Sequence, residues 1–311
     1  MVRRGLGMET QASLDTYRSL RSGMVAAGLL LAMGLVFYIV GPGRGIPPSI
    51  SATFYSPLST VFVATLLTVG LALIAVKGRL GTENTLLDVA GALIPVVAFV
   101  PTPTLSPECP DPARDCVPPS LHPAVDINIR AYLAVGVVAL VIAWIRMTIA
   151  ARTPTPWTLS TRRGLVPPAV VLVLFGGAYL LARPTFIQFA HYTAAISFFL
   201  LLVVVVWING RRSVETDDPA NASTDAYQRI YRTIATAMLL AVAGGVAIFA
   251  VTGNQNAVVA AGGTPFPVVF WIEAVLLTLF VAYWVVQTVE LWNYTLPPDH
   301  PATEAGAVAA G

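Results

Sequence analysis

Charge is scarce in this chain. Only 11% of its 311 residues are Asp, Glu, Lys or Arg, against roughly 25% in a soluble domain that must cover its surface. An ordinary water-facing surface is thereby excluded, and most of the surface has to face lipid. Lysine is scarcer still: Lys77 is the only one, so the other seventeen of the eighteen basic residues are arginines. That bias fits a GC-rich bacterial genome. A formal net charge of +2 supplies no basic field for nucleic acid. The three histidines, His122, His191 and His300, are too few for a zinc or haem cluster of the common type, and His-Glu-x-x-His, phosphate-loop and Gly-x-Ser-x-Gly signatures are missing. The sequence therefore implies no cofactor and no metal, and leaves open whether the protein is an enzyme at all.

What the chain has in abundance is apolar residue, 56% of the total. A spanning helix needs about 20 mostly apolar residues to cross a hydrocarbon core about 30 Å thick. Eight segments approach this: Met24 to Val40, Leu58 to Val76, Thr85 to Val100, Ala131 to Ile149, Leu165 to Ala182, Phe186 to Ile208, Thr233 to Val251 and Phe266 to Val289. The third is the shortest of these runs and carries Asp88 and Pro95. The fold class expected is all-α, a polytopic transmembrane bundle of about eight spans. Residues 1–23 form a cytoplasmic N-terminal segment, 24–291 the membrane domain and 292–311 a disordered cytoplasmic tail.

Orientation follows from arginine and lysine in the loops. With the N-terminus inside, fourteen basic residues fall on the cytoplasmic side, and Arg44, Arg114, Arg130 and Arg183 fall outside. Both termini are then cytoplasmic, and the expected location is the cell membrane of a bacterium. A cleaved signal peptide is the rival reading of the first run, but Phe37-Tyr38-Ile39-Val40 offers no small-residue cleavage site. Cys109 and Cys116 lie in Pro-Glu-Cys-Pro-Asp-Pro-Ala-Arg-Asp-Cys-Val-Pro-Pro, a loop placed outside, where disulfides persist. A bridge between them is expected, because a metal site would have only His122 nearby and zinc wants more ligands.

Lipid gives helices no hydrophobic reason to associate, so small residues that admit close approach do much of the packing. Ala237, Ala241 and Gly245 make such a seam on the seventh helix, as do Ala190 and Ala194 on the sixth. Ionisable groups in a bilayer are costly, so each is a functional candidate. Asp88 has a plain explanation as the acid of a capping box begun by Thr85. Glu273 sits about two turns into the last helix, with Gln287 on the same stripe, and His191 lies in the first turns of the sixth. By depth His191 and Glu273 fall at one outer level with Ser49, Ser51 and Tyr55, whereas the inner ends read as ordinary basic flanks. Those five residues form the candidate ligand-binding set.

Several short blocks carry a resemblance: Pro48-Ser49-Ile50-Ser51-Ala52-Thr53-Phe54-Tyr55, Asp88-Val89-Ala90-Gly91, Val100-Pro101-Thr102-Pro103, His191-Tyr192-Thr193-Ala194-Ala195 and Phe270-Trp271-Ile272-Glu273. They resemble uncharacterised bacterial membrane proteins, whose layout is similar to the six-span DRAM and fibroblast-growth-factor-receptor-activating (Frag) superfamily. The matching positions are Ile50, Ser51, His191 and Glu273; Ala52 stands where the superfamily's motif has an acid, its glycine is absent, and the fourth and fifth helices look inserted. The resemblance implies a role in membrane-lipid organisation rather than one reaction.

Two functions compete, with a third behind them. One is a non-enzymatic protein binding or moving a lipid-like or small amphipathic molecule through an outward polar pocket, with a proton-coupled transporter as a version of it. The alternative is a structural or assembly subunit of a membrane complex. The third, a hydrolase similar to the alkaline ceramidases, wants more than one membrane histidine. Membrane lipids, and a protein partner in the membrane, are the expected partners.

Overall fold

The computed structural model describes residues 2–76, 81–111, 114–150, 157–212, 224–252, 258–261 and 264–292. Among the described residues eight α-helices follow one another: α1 Val2–Val40, α2 Ser59–Ala75, α3 Gly81–Phe99, α4 His122–Ala150, α5 Trp157–Leu181, α6 Arg183–Arg212, α7 Thr224–Thr252 and α8 Val268–Glu290. Seven of them are long and apolar enough to cross a membrane, and α2, with 17 residues, is a shorter apolar helix. The architecture is that of a helical membrane bundle. A small antiparallel hairpin, β1 Val258–Ala261 against β2 Thr264–Pro267, leads into α8. The polar stretch from Ile208 to Ile230 reads as a solvated linker, but α6 runs to Arg212 and α7 starts at Thr224, so only residues 213–223 of it, like residues 293–311 of the expected tail, lie outside the described residues.

Several helices outrun the apolar segments that announce them. α1 begins at Val2 rather than Met24, α4 at His122 rather than Ala131, and α7 at Thr224 rather than Thr233. Hydropathy marks the part of a helix that lipid covers, whereas backbone hydrogen bonding continues into polar turns. The same effect moves the capping-box reading of Asp88. α3 starts at Gly81, so Thr85 is inside the helix and bonds the Gly81 carbonyl at 2.9 Å instead of opening a capping box with Asp88. α5 starts at Trp157, ahead of Leu165, so Pro167 and Pro168 lie inside the helix.

α3 is the centre of the bundle and packs against α2, α5 and α6. Of its apolar window 56% is buried inside the protein, against 6% for α4 and 11% for α5. Being the least apolar of the seven, α3 gains by having protein on most sides. The α2–α3 crossing depends on glycine: a Cβ on Gly91 would stand 2.6 Å from the Gly70 carbonyl oxygen. On α6, Ala190 and Ala194 are buried as their spacing suggests. On α7 the buried stripe is instead Tyr231, Ile234, Ala235, Met238 and Val242, and the Ala237, Ala241, Gly245 seam is only half-buried. Larger side chains with more area to cover take that face.

Candidate functional site

At one end of the bundle, here called the disulfide end, the chain between α1 and α2 lies across the start of α8. A helix leaves its first amides unpaired, and Phe270 in the first turn of α8 donates its N–H to the Pro48 carbonyl at 3.1 Å. The return contact comes from Glu273. Its carboxylate receives the Ile50 amide, the Ser51 amide at 3.1 Å and the Ser51 hydroxyl at 2.8 Å. Ser49 Oγ receives the Ala52 amide at 2.9 Å. Glu273 and Ser49 thus cap the short 3-10 turn Ser51–Tyr55 from outside and within. At its far end the Tyr55 hydroxyl donates to the Thr102 carbonyl at 2.7 Å, tying the turn to the loop after α3.

Below this turn is a cavity of about 120 Å³. It is comparable to the roughly 150 Å³ apolar cavity that accepts a benzene, so it has room for a segment of alkyl chain. Apolar side chains from α1, α2, α3, α6 and α8 make most of its wall, among them Leu31, Leu66, Ile94, Ala195, Phe198 and Phe280. Ser51 and Glu273 supply a polar end, and Thr65 is the other polar side chain lining it.

His191 is brought to the same end but to a different task. Its ring is 2% exposed, and Nδ1 lies 2.7 Å from the Val100 carbonyl oxygen, just past the end of α3. A carbonyl only accepts, so Nδ1 carries the proton and donates. His191 therefore fastens α6 to α3, and it is not among the residues that line the cavity. Of the five expected site residues, the structure joins Glu273 to Ser51 directly, places Ser49 and Tyr55 at the two ends of the same turn, and leaves His191 on the neighbouring seam.

The disulfide end is closed by further polar contacts. Cys109 and Cys116 form a disulfide, and Thr104 and Cys116 exchange backbone hydrogen bonds of 2.9 and 3.0 Å. Gln188 of α6 donates to the Asp115 carbonyl at 3.1 Å. Asp126 of α4 holds Arg183 of α6 through bonds of 2.6 and 2.9 Å, and Tyr179 of α5 at 2.9 Å. Burial pushes the Asp115 carboxyl above its ordinary range.

The opposite end overturns the expectation of plain basic flanks. Glu83, 1% exposed, accepts from Asn209 Nδ2 at 3.0 Å, and the same nitrogen lies 3.1 Å from the Tyr283 hydroxyl. Gln287 donates to that hydroxyl at 2.8 Å, and Tyr231 donates to Glu290. A buried polar network thus links α3, α6 and α8, and beside it the Tyr231–Glu290 bond joins α7 to α8, with the Tyr231 ring edge-on to that of Tyr283. Sequence reading missed Glu83 because it precedes the apolar run and looked like loop; Glu83 and Gln287 belong to it, whereas Glu273 does not. Among the described residues no group of three or more His, Cys, Asp or Glu could hold a metal ion.

No family model, curated protein or solved structure matches the chain.

Proposed function

We propose that the protein is an eight-span plasma-membrane protein, with both termini cytoplasmic and the disulfide end outward, that binds a lipid-like or small amphipathic molecule. The observation that carries this is an apolar cavity closed at one end by Ser51 and Glu273. A chain segment would lie along Leu66, Ile94 and Phe198, with the polar part of the molecule toward the 3-10 turn. Surrounding lipid is as apolar as these walls, so a chain gains little by leaving it. Selection then rests on the polar end. The fourteen-to-four distribution of basic residues supports the outward placement. The resemblance of the Ile50-Ser51, His191 and Glu273 blocks to a superfamily linked to membrane-lipid organisation supports the same reading.

Native mass spectrometry of protein released from membranes tests it. The wild type should carry a chain-bearing molecule at near-equal stoichiometry, and Ala195→Phe, which fills the cavity from α6, should lose it. A wild type without adducts, or an equal load on both proteins, overturns the reading.

A further inference from the structure

At the disulfide end, outside the lining of the cavity, three polar atoms are buried without a hydrogen-bond partner: Thr102 Oγ1, Asp115 Oδ1 and the Tyr192 hydroxyl. Buried polar groups are almost always paired, so each such atom asks for an explanation. The three belong to one neighbourhood. His191 bonds Val100, two residues before Thr102, and Tyr192 is the next residue of α6, its ring stacked on Phe249 of α7 at 5.9 Å. Thr102 is 5% exposed, and its carbonyl holds Tyr55. Gln188, one helical turn before Tyr192, bonds the Asp115 backbone, and Asp115, Tyr55 and Glu273 all act electrostatically on Tyr192. On α6, Gln188, Tyr192, Ala195 and Phe199 follow the spacing of one helix face. That face descends from the disulfide loop to the cavity wall, with Tyr192 about 4.5 Å above Ala195.

The charge around this basin has one sign. Asp115 and Glu273 are acids, and the four arginines at this end are engaged elsewhere. Arg183 holds Asp126, Arg130 donates to Tyr179, and Arg44 lies over the Tyr38 ring. Arg114, although next to Asp115, turns outward to Asp111 with 86% of its side chain exposed. A phosphate or carboxylate head would therefore meet carboxylates and no free cation among the described residues. A head that donates hydrogen bonds and carries positive charge would satisfy the unpaired oxygens.

We infer that the basin formed by Thr102, Asp115 and Tyr192 seats the ammonium head of an amine-bearing amphiphile whose alkyl chain enters the cavity below. This rests on the binding reading above and adds the class of head to it.

The test uses the full-length protein in phosphatidylcholine nanodiscs and three photoreactive probes with one shared dodecyl chain, ending in an amine, a phosphate or a glucoside. The amine should label peptides of the cavity wall most strongly, and unlabelled dodecylamine should compete it away. Asp115→Asn should cut capture of the amine by about tenfold, the effect of one hydrogen bond to a charged group, and leave the glucoside unchanged. Tyr192→Phe should weaken the amine as well. Equal capture of all three probes, better capture of the phosphate, or an Asp115→Asn protein that still prefers the amine overturns the inference and leaves chain binding standing. Absence of labelling by every probe, matching Ala195→Phe, overturns both and leaves a hydrated basin only.

Discussion

Glu273 of α8 and Ser51 of the first interhelical loop, 222 residues apart in sequence, meet through two hydrogen bonds, one to the serine hydroxyl at 2.8 Å and one to its amide at 3.1 Å. With the Ile50 amide added, one carboxylate takes the place of the turn's missing backbone partners. Replacing Glu273 by Gln keeps one acceptor oxygen for the amides, whereas Leu strands them. Glu273→Gln should therefore fold and melt close to the wild type. Glu273→Leu should lose about 1–3 kcal/mol for each buried donor left unpaired. Thermal unfolding in detergent measures both, and equal loss in the two variants would show that charge, not hydrogen bonding, holds the turn.

Labelling of single cysteines fixes the arrangement in the membrane. Positions near Pro112 and Asn256 should react from outside, and positions near Arg162 and Asp217 only from inside. One reversed loop ends the eight-span reading. In protein purified without reductant, Cys109 and Cys116 should gain mass on alkylation only after reduction.

Asn209 is the hub of the second network, since its amide nitrogen serves both Glu83 and Tyr283. Asn209→Leu preserves volume and strands buried polar partners, so it should cost about 1–3 kcal/mol per group left without a bond. Unchanged stability in a denaturant titration would remove the network from the forces that hold this end together.

Asp115 gives a pH signature. Burial raises its carboxyl pKa in the folded chain, so the folded state holds that proton more tightly than the unfolded state, where the value is about 3.9. Stability from this group is complete below the unfolded value and is lost as pH rises through the raised folded one. At neutral pH, where the penalty is in force, Asp115→Asn should melt higher than the wild type in the absence of amphiphile. The gap should close in acid. A variant that melts lower at neutral pH would mean that the carboxylate is already compensated.

Much of this protein is legible without coordinates, because lipid imposes strict local rules. The eight helices are visible as apolar runs, and the cysteine pair is visible from its loop. Glu273 and Ser51 stand out as an acid in an apolar helix and a serine in a loop at matching depth. Glu83 did not, since a short polar stretch before a hydrophobic run reads as loop whether or not the helix has already begun. His191 was found as a residue and misplaced as a contact. Its depth matches that of Glu273, but rotation of α6 about its axis turns it to Val100.

The sequence by itself determined how many apolar helices there are, their order, the charge difference between their ends and the residues too polar to face lipid. These depend on the composition of continuous segments, which the solvent judges locally. Only the tertiary structure decided which helix is central, which face of α7 is buried, that Glu273 caps a distant turn, and that Glu83 and Asn209 meet. Those outcomes depend on the azimuth of each helix, and azimuth is set by close packing between surfaces such as Gly70 and Gly91 that no single segment contains.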